Sequence, residues 1–190
     1  NRYASFIVKE SEAITFTYER DHEDPRIAHA LNLETDELGN LLESVSIVYP
    51  RKKEEPLLEN EPSDNDAARR AKQHGKDGQK KTWITFAKND FTNDILAPAN
   101  YYLRKNWQTQ TYELTGVKPQ SGYFKIADFK NKVFNFQKIE YQQIASGSLP
   151  QKRLIEHIKT KFYDADLSLP LADGQIAIRA VPYEAYQLAF

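Results

Sequence analysis

The chain has 190 residues, enough for one domain or one large piece of a longer protein, and 40% of them are hydrophobic, enough to build a core. Its formal net charge of −1 gives no general field for nucleic acid or anionic lipid. With no cysteine, disulfides, cysteine-bound zinc and thiol catalysis are excluded. No apolar run approaches the roughly 20 residues that span a bilayer, so direct membrane insertion is not expected. Eleven Tyr and ten Phe against only seven Gly favour pleated strands, where flat rings pack well. The N-terminus lacks a signal-peptide pattern and an initiator Met, and it opens in a strand-like run. The chain therefore reads as a fragment of a longer polypeptide.

Residues 3–8 and 13–18 flank the polar turn Lys9-Glu10-Ser11-Glu12 and are expected to pair as a first hairpin. Ile14, Phe16 and Tyr18 alternate with Thr15 and Thr17, the period of a strand with one buried face. Asp24-Pro25 then marks a turn, because proline biases the residue before it away from helix.

A second hairpin follows over 27–49. Ile27, Leu31 and Leu33 share one face of its first strand, with His29 between them, and Val45, Ile47 and Tyr49 do the same in the return strand. These six are the core candidates. The turn DELGN at 36–40 puts Gly39 and Asn40 where a positive φ is wanted.

Residues 52–81 are dense in charge and poor in apolar side chains, with breakers at Pro56, Pro62 and Gly75. Such a segment cannot offset its ordering entropy and is expected to be a mobile insertion. Within it, Asp64 or Asn65 is placed to cap a short helix over 67–73.

Strand character resumes at 82–90 and again over 103–116, which ends at Gly116. The run 123–136 shifts to helical spacing, with Ile126, Phe129 and Val133 on one face. Residues 152–163 fit either period, but the Thr, β-branched and aromatic content favours strand. A loop over 164–175 leads to a final extended run. The fold class expected is mainly β, built of antiparallel hairpins with one or two short helices.

Little in the sequence points to chemistry. His22, His29, His74 and His157 show no helical metal-ligand spacing, and no HExxH occurs, so neither a metal nor another cofactor is expected. The best carboxylate pair, Asp164 and Asp166 near Asp173, would suit a hydrolase, but polar turn residues account for it more simply. GxGxxG, P-loop, GxSxG and SxxK motifs are all missing. The basic residues Arg69, Arg70 and 76–81 lie among acids without interleaved rings, which suits a solvated linker rather than a nucleic-acid arm. No catalytic residue is assigned. A binding module presenting Tyr101, Tyr102, Trp107 and Tyr123 to glycan or protein is the alternative reading.

Four phrases occur in one order: YERDHEDPRIAHALNLETDELGNLLESVSIVYPR at 18–51, WITFAKNDFTNDI at 83–95, TYELTG at 111–116, and KRLIEHIKTKFYDADLSLPLADGQI at 152–176. Together they resemble the middle-to-C-terminal segment of the B component of insecticidal toxin complexes (Tc toxins), the TcaC/TcdB/SpvB-like family. The resemblance implies a non-enzymatic segment of an Rhs-like β-shell, formed with the rest of the B chain and an Rhs-repeat C component, that encloses a cytotoxic effector. It further implies docking on a pentameric pore-forming A component, assembly in the bacterial cytoplasm, and secretion as a toxin complex.

Two activities found among such proteins do not map here. The Glu-x-Glu pairs, Glu10/Glu12 and Glu59/Glu61, lack the Ser-Thr-Ser strand of an ADP-ribosyltransferase. Asp24-Pro25 is a single Asp-Pro followed by Arg-Ile, without the paired Asp-Pro-x-Gly of the self-cleaving aspartyl site.

Overall fold

The computed structural model describes residues 6–19, 21–54, 58–130 and 134–189, with side chains described as far as Tyr183. Ten strands and two helices follow one another in chain order. They are β1 (Glu12–Thr17), β2 (Arg26–Thr35), β3 (Leu41–Val48), α1 (Asp66–Gln79), β4 (Trp83–Phe91), β5 (Ile95–Ala97), β6 (Asn100–Tyr102), β7 (Asn106–Thr115), α2 (Ile126–Lys130), β8 (Gln137–Ile139), β9 (Gln151–Phe162) and β10 (Pro182–Ala189). Eight strands form one sheet in the order β1-β2-β3-β4-β7-β9-β10, with the short β8 added parallel to β9; all other pairings are antiparallel. β5 and β6 make a separate two-stranded hairpin. The fold is mainly β with two helices, as the sequence predicts.

The period-2 pattern of β2 is realised residue by residue: Ile27, His29, Leu31 and Leu33 are buried, and Arg26, Ala28, Ala30 and Glu34 are exposed. Two neighbouring cross-strand rows show what the alternation does across the sheet. Leu31, Val45, Phe86, Tyr112 and Leu154 lie side by side on one face. One residue along, Ala30, Ser46, Thr85, Glu113 and Arg153 form the matching row on the other.

The first of these faces is the core. Leu31, Leu33, Val45, Ile47, Ile84, Leu114 and Phe124 cluster there, and Val45 and Leu31 are 0% exposed. Its cover comes from this same chain. Phe124 is packed against Phe129 (ring centroids 5.5 Å) and Phe134 (6.3 Å), and Phe136 continues the group. α2 within this cover is only five residues long, shorter than the helical spacing predicts, although Val133 lies outside the described residues. Its start is capped by the Asp128 carboxylate accepting from the Lys125 N–H (2.9 Å), a capping-box arrangement.

The β2–β3 turn uses its polar residues differently from expectation. Gly39 has φ +88°, but Asn40 does not share a positive φ. Asn40 instead donates from its backbone N–H and side-chain amide to the Asp36 carboxylate (2.8 and 2.9 Å), so the turn is closed by hydrogen bonds and a single glycine. A second positive φ matters at Gly116 (+70°), where β7 ends. A Cβ there would lie 1.8 Å from the Leu149 carbonyl oxygen, so the strand can turn only because this residue is glycine.

Among the described residues the predicted first hairpin does not form. Residues 6–10 are not in a strand, and β1 pairs with β2 from Glu12↔Leu31 to Thr17↔Arg26; residues 3–5 lie outside the described ones. Phe16 and Tyr18 are 41% and 59% exposed, so the face expected to be buried in this strand is only partly so. The helix within 52–81 is longer than expected, running over Asp66–Gln79 from an Asn65 cap that accepts from the Ala68 N–H. It buries no side chain. Good helix formers (Ala, Arg, Lys, Gln) build it despite their charge. It is held from outside by Lys76 and Lys80, both paired to Glu54.

Candidate interaction surfaces

Most polar groups with chemical potential are committed to holding the sheet. His29 is the clearest case: its ring is fully buried, with Nδ1 3.0 Å from the Tyr49 hydroxyl and Nε2 3.0 Å from Glu12 Oε1. The Tyr49 hydroxyl also accepts the Phe124 N–H (2.9 Å). With Nε2 donating to Glu12 and Nδ1 accepting from the Tyr49 hydroxyl, every member of this row is satisfied. The row joins edge strand β1, β2, the end of β3 and the aromatic cover. Burial pushes the Tyr49 hydroxyl up, against the Phe124 N–H, which favours its ionised form. Removing that hydroxyl with Tyr49→Phe should cost about 1–3 kcal/mol in urea denaturation, because His29 Nδ1 and the Phe124 N–H lose their partner while the ring still fills its place.

Asp24 fixes the base of the same hairpin. Its side chain is only 1% exposed and accepts from Arg51 Nε (3.0 Å) and from the N–H groups of Lys52 (2.9 Å) and Lys53 (3.1 Å). Burial pushes this carboxyl up, but those three donors outweigh it and hold the pKa below the ordinary value. At the other end of the hairpin, Arg104 reaches Asp36, Glu37 and Asp94 together and ties the turn to the base of the β5–β6 hairpin.

The residues considered for chemistry are used structurally or stand apart. Asp164 accepts from the N–H and hydroxyl of Ser168 and the N–H of Leu169, which lowers its pKa and closes a turn. Asp173 pairs with Lys159 instead of joining it. His157 Nε2 lies 2.9 Å from Gln108 Oε1, and burial followed by the charge of Lys159 lowers its pKa. His74 lies in α1 and His22 in the loop before β2. Among the described residues, no three His, Asp or Glu side chains gather as metal ligands. No described helix is long and apolar enough to cross a membrane.

Exposed apolar side chains mark the surfaces available for contact. Tyr101, in the β5–β6 hairpin, is 70% exposed and Leu96 is 64% exposed. Tyr102 lies under the Lys105 ammonium, Trp107 under that of Lys159, and Tyr123 against Tyr49, so the four rings of the binding-module reading are spread over three elements. On the open face of the sheet, Trp83 and Val48 are each 48% exposed. Sequence reading missed this second surface, although Val48 and Trp83 are register partners and both stand opposite in parity to the core residues beside them.

The chain is thus a mostly antiparallel β segment with one face covered by its own aromatic residues and most of its described buried polar groups tied to register and turns. The family model of the insecticide toxin TcdB middle/C-terminal region matches residues 1–104, more than half of the chain, and the chain belongs to that family of toxin-complex B components. In fold the chain is similar to the crystal structure of TcdB2-TccC3 without its hypervariable C-terminal region, with a TM-score of 0.62 and 16% identity over 92% of this chain. It spans only 8% of the length of that chain. No curated protein matches.

Proposed function

We propose that this chain is a non-enzymatic wall segment of a toxin-complex B component, one panel of the hollow β-shell that encloses and delivers a cytotoxic effector. The observation that carries this reading is the two-faced sheet itself. One face is covered by Phe124, Phe129, Phe134 and Phe136, and among the described residues edge strands β1 and β10 each pair on one side only, which leaves the other for strands of the larger polypeptide. The B–C pairing in the similar structure supports partnership with an Rhs-repeat C component. Docking to a pentameric A component would run through the rest of the B chain, and the assembled complex would act outside the bacterium. In this setting the charged 52–81 region is a surface insertion on the panel, tolerated because such loops add little closure entropy.

The test is protease protection of the effector in the complex of full-length B and C components. The parental complex should shield the C component's effector from trypsin. A B component carrying Val45→Asp should expose it, because the panel can no longer hold its register. Equal protection, with the segment shown by hydrogen exchange to be unfolded, overturns the shell reading.

A further inference from the structure

We propose that the open face of the sheet carries a docking trough, centred on Trp83, for an extended acidic polypeptide segment with an apolar side chain at its middle. This inference stands on the surface alone and does not depend on the shell reading. Three hollows of about 270, 440 and 1080 Å³ adjoin along this face, and Trp83 lines all three. Its indole is held in place by Nε1 donating to the Gly78 carbonyl (3.0 Å), which leaves the ring half exposed at the centre of the trough. Val48 at one end and Ile144 at the other, 48% and 96% exposed, extend the apolar floor and wall.

The charge around this floor is one-sided. Arg26, Arg51, Lys80, Lys81, Lys118 and Arg153 line the hollows, against one carboxylate, Glu113. Glu113 is already held by Arg153 across β7 and β9. Arg26, Arg51 and Lys80 likewise have carboxylate partners in Glu19, Asp24 and Glu54. Lys81 and Lys118 are exposed and enter no ion pair among the described residues, so two free ammonium groups flank the indole. Arg153 also donates to the carbonyls of Tyr141 (3.1 Å) and Gln143 (3.2 Å), which fixes the loop forming the far wall.

A built trough with unmatched positive charge and an exposed ring asks for an occupant with negative charges set about an apolar group. Polypeptide fits better than nucleic acid. A carboxylate sits within the trough, only two cations are free for phosphates, and Trp83 is joined only by Tyr141, whose ring already faces the Arg153 guanidinium (5.8 Å), where single strands stack on a series of rings.

The probe is a fluorescein-labelled random copolymer of Glu and Tyr, titrated with the full-length chain at low salt and followed by fluorescence anisotropy. Saturable binding is expected, weakened about tenfold or more by Lys81→Glu combined with Lys118→Glu, and retained by the corresponding Arg double variant. Trp83→Ala should weaken it too, while leaving a Glu-only polymer little changed. Both lysines are exposed, so their variants should melt with the parent, and the melts confirm that lost binding is not lost folding. No saturable binding, or equal binding by parent and the Glu double variant, overturns the proposal. Tighter binding of a random-sequence single-stranded DNA also overturns it and assigns the trough to nucleic acid.

Discussion

Val45→Asp is expected to lower the stability of the chain by about 3–5 kcal/mol, whereas Ser46→Asp, one residue along the same strand, should change it by less than about 1 kcal/mol. Val45 has no exposed surface and sits between Leu31 and Phe86 in the core row. A carboxylate there loses its water and finds no cation in that row, so it must stay buried and unpaired, take up a proton, or unfold the sheet. Ser46 points to the open face and is exposed, so a charge at that position keeps its hydration. Urea denaturation of both variants measures the contrast. Similar midpoints for the two would show that the alternation does not separate a sealed face from an open one.

Asp24→Ala is expected to cost a similar amount, about 3–5 kcal/mol, by a different route. The substitution strands the Arg51 guanidinium, whose side chain is only 13% exposed, and leaves the N–H groups of Lys52 and Lys53 without their acceptor. Arg51 Nη1 makes no hydrogen bond even in the intact chain, and its remaining ion pair, to the half-exposed Glu19 at 3.8 Å, is a much weaker anchor. Asp24→Asn keeps an acceptor oxygen and should lose less, about 1–3 kcal/mol.

The carboxyl has a folded pKa below its unfolded one, so the sign of its pH dependence is fixed. Its contribution is complete above the unfolded value near about 4 and is lost as pH falls through the depressed folded value. Asp36, lowered by Asn40, Leu38 and Arg104 against its own burial, acts in the same direction. Stability measured from neutral pH downward should therefore fall in the acid range, and Asp24→Asn should reduce that slope. An unchanged slope would show that Asp24 does not carry it.

How much of this was legible in the sequence depended on whether the signal was local. The 27–49 hairpin was readable because Ile27, Leu31, Val45 and Ile47 repeat at period two on both sides of a turn with its own chemistry. Residues 152–163 fit either period, and the tilt to strand that β-branched and aromatic content gave them agrees with β9 (Gln151–Phe162). The same reasoning failed at residues 6–8, where apolar side chains suggested a strand but remain exposed. Alternation tells which face a side chain takes, not which strand lies beside it, so the choice of β2 as partner for β1 could not be read.

The polar row was accessible in part. A histidine between Ile27 and Leu31 on a buried face must find partners, which directs attention to Tyr49. That Glu12 and the Phe124 N–H complete the row depends on contacts 17 and 75 residues away in sequence. The trough was out of reach for the same reason: Trp83, Lys118 and Ile144 meet only once the sheet has formed.

The order of strands across the sheet also bears on how the protein is made. Along β1-β2-β3-β4-β7-β9-β10, each strand lies beside the one laid down before it on the same path. As the ribosome delivers the chain, each new strand on this path thus meets a partner already in place, whereas β5 must wait for β6 and β8 for β9. Growth proceeds outward from one edge, and closure across long stretches of chain, which slows β folding, is kept short. The aromatic cover is synthesised after β7, so the core face stays uncovered until five strands of the sheet have emerged.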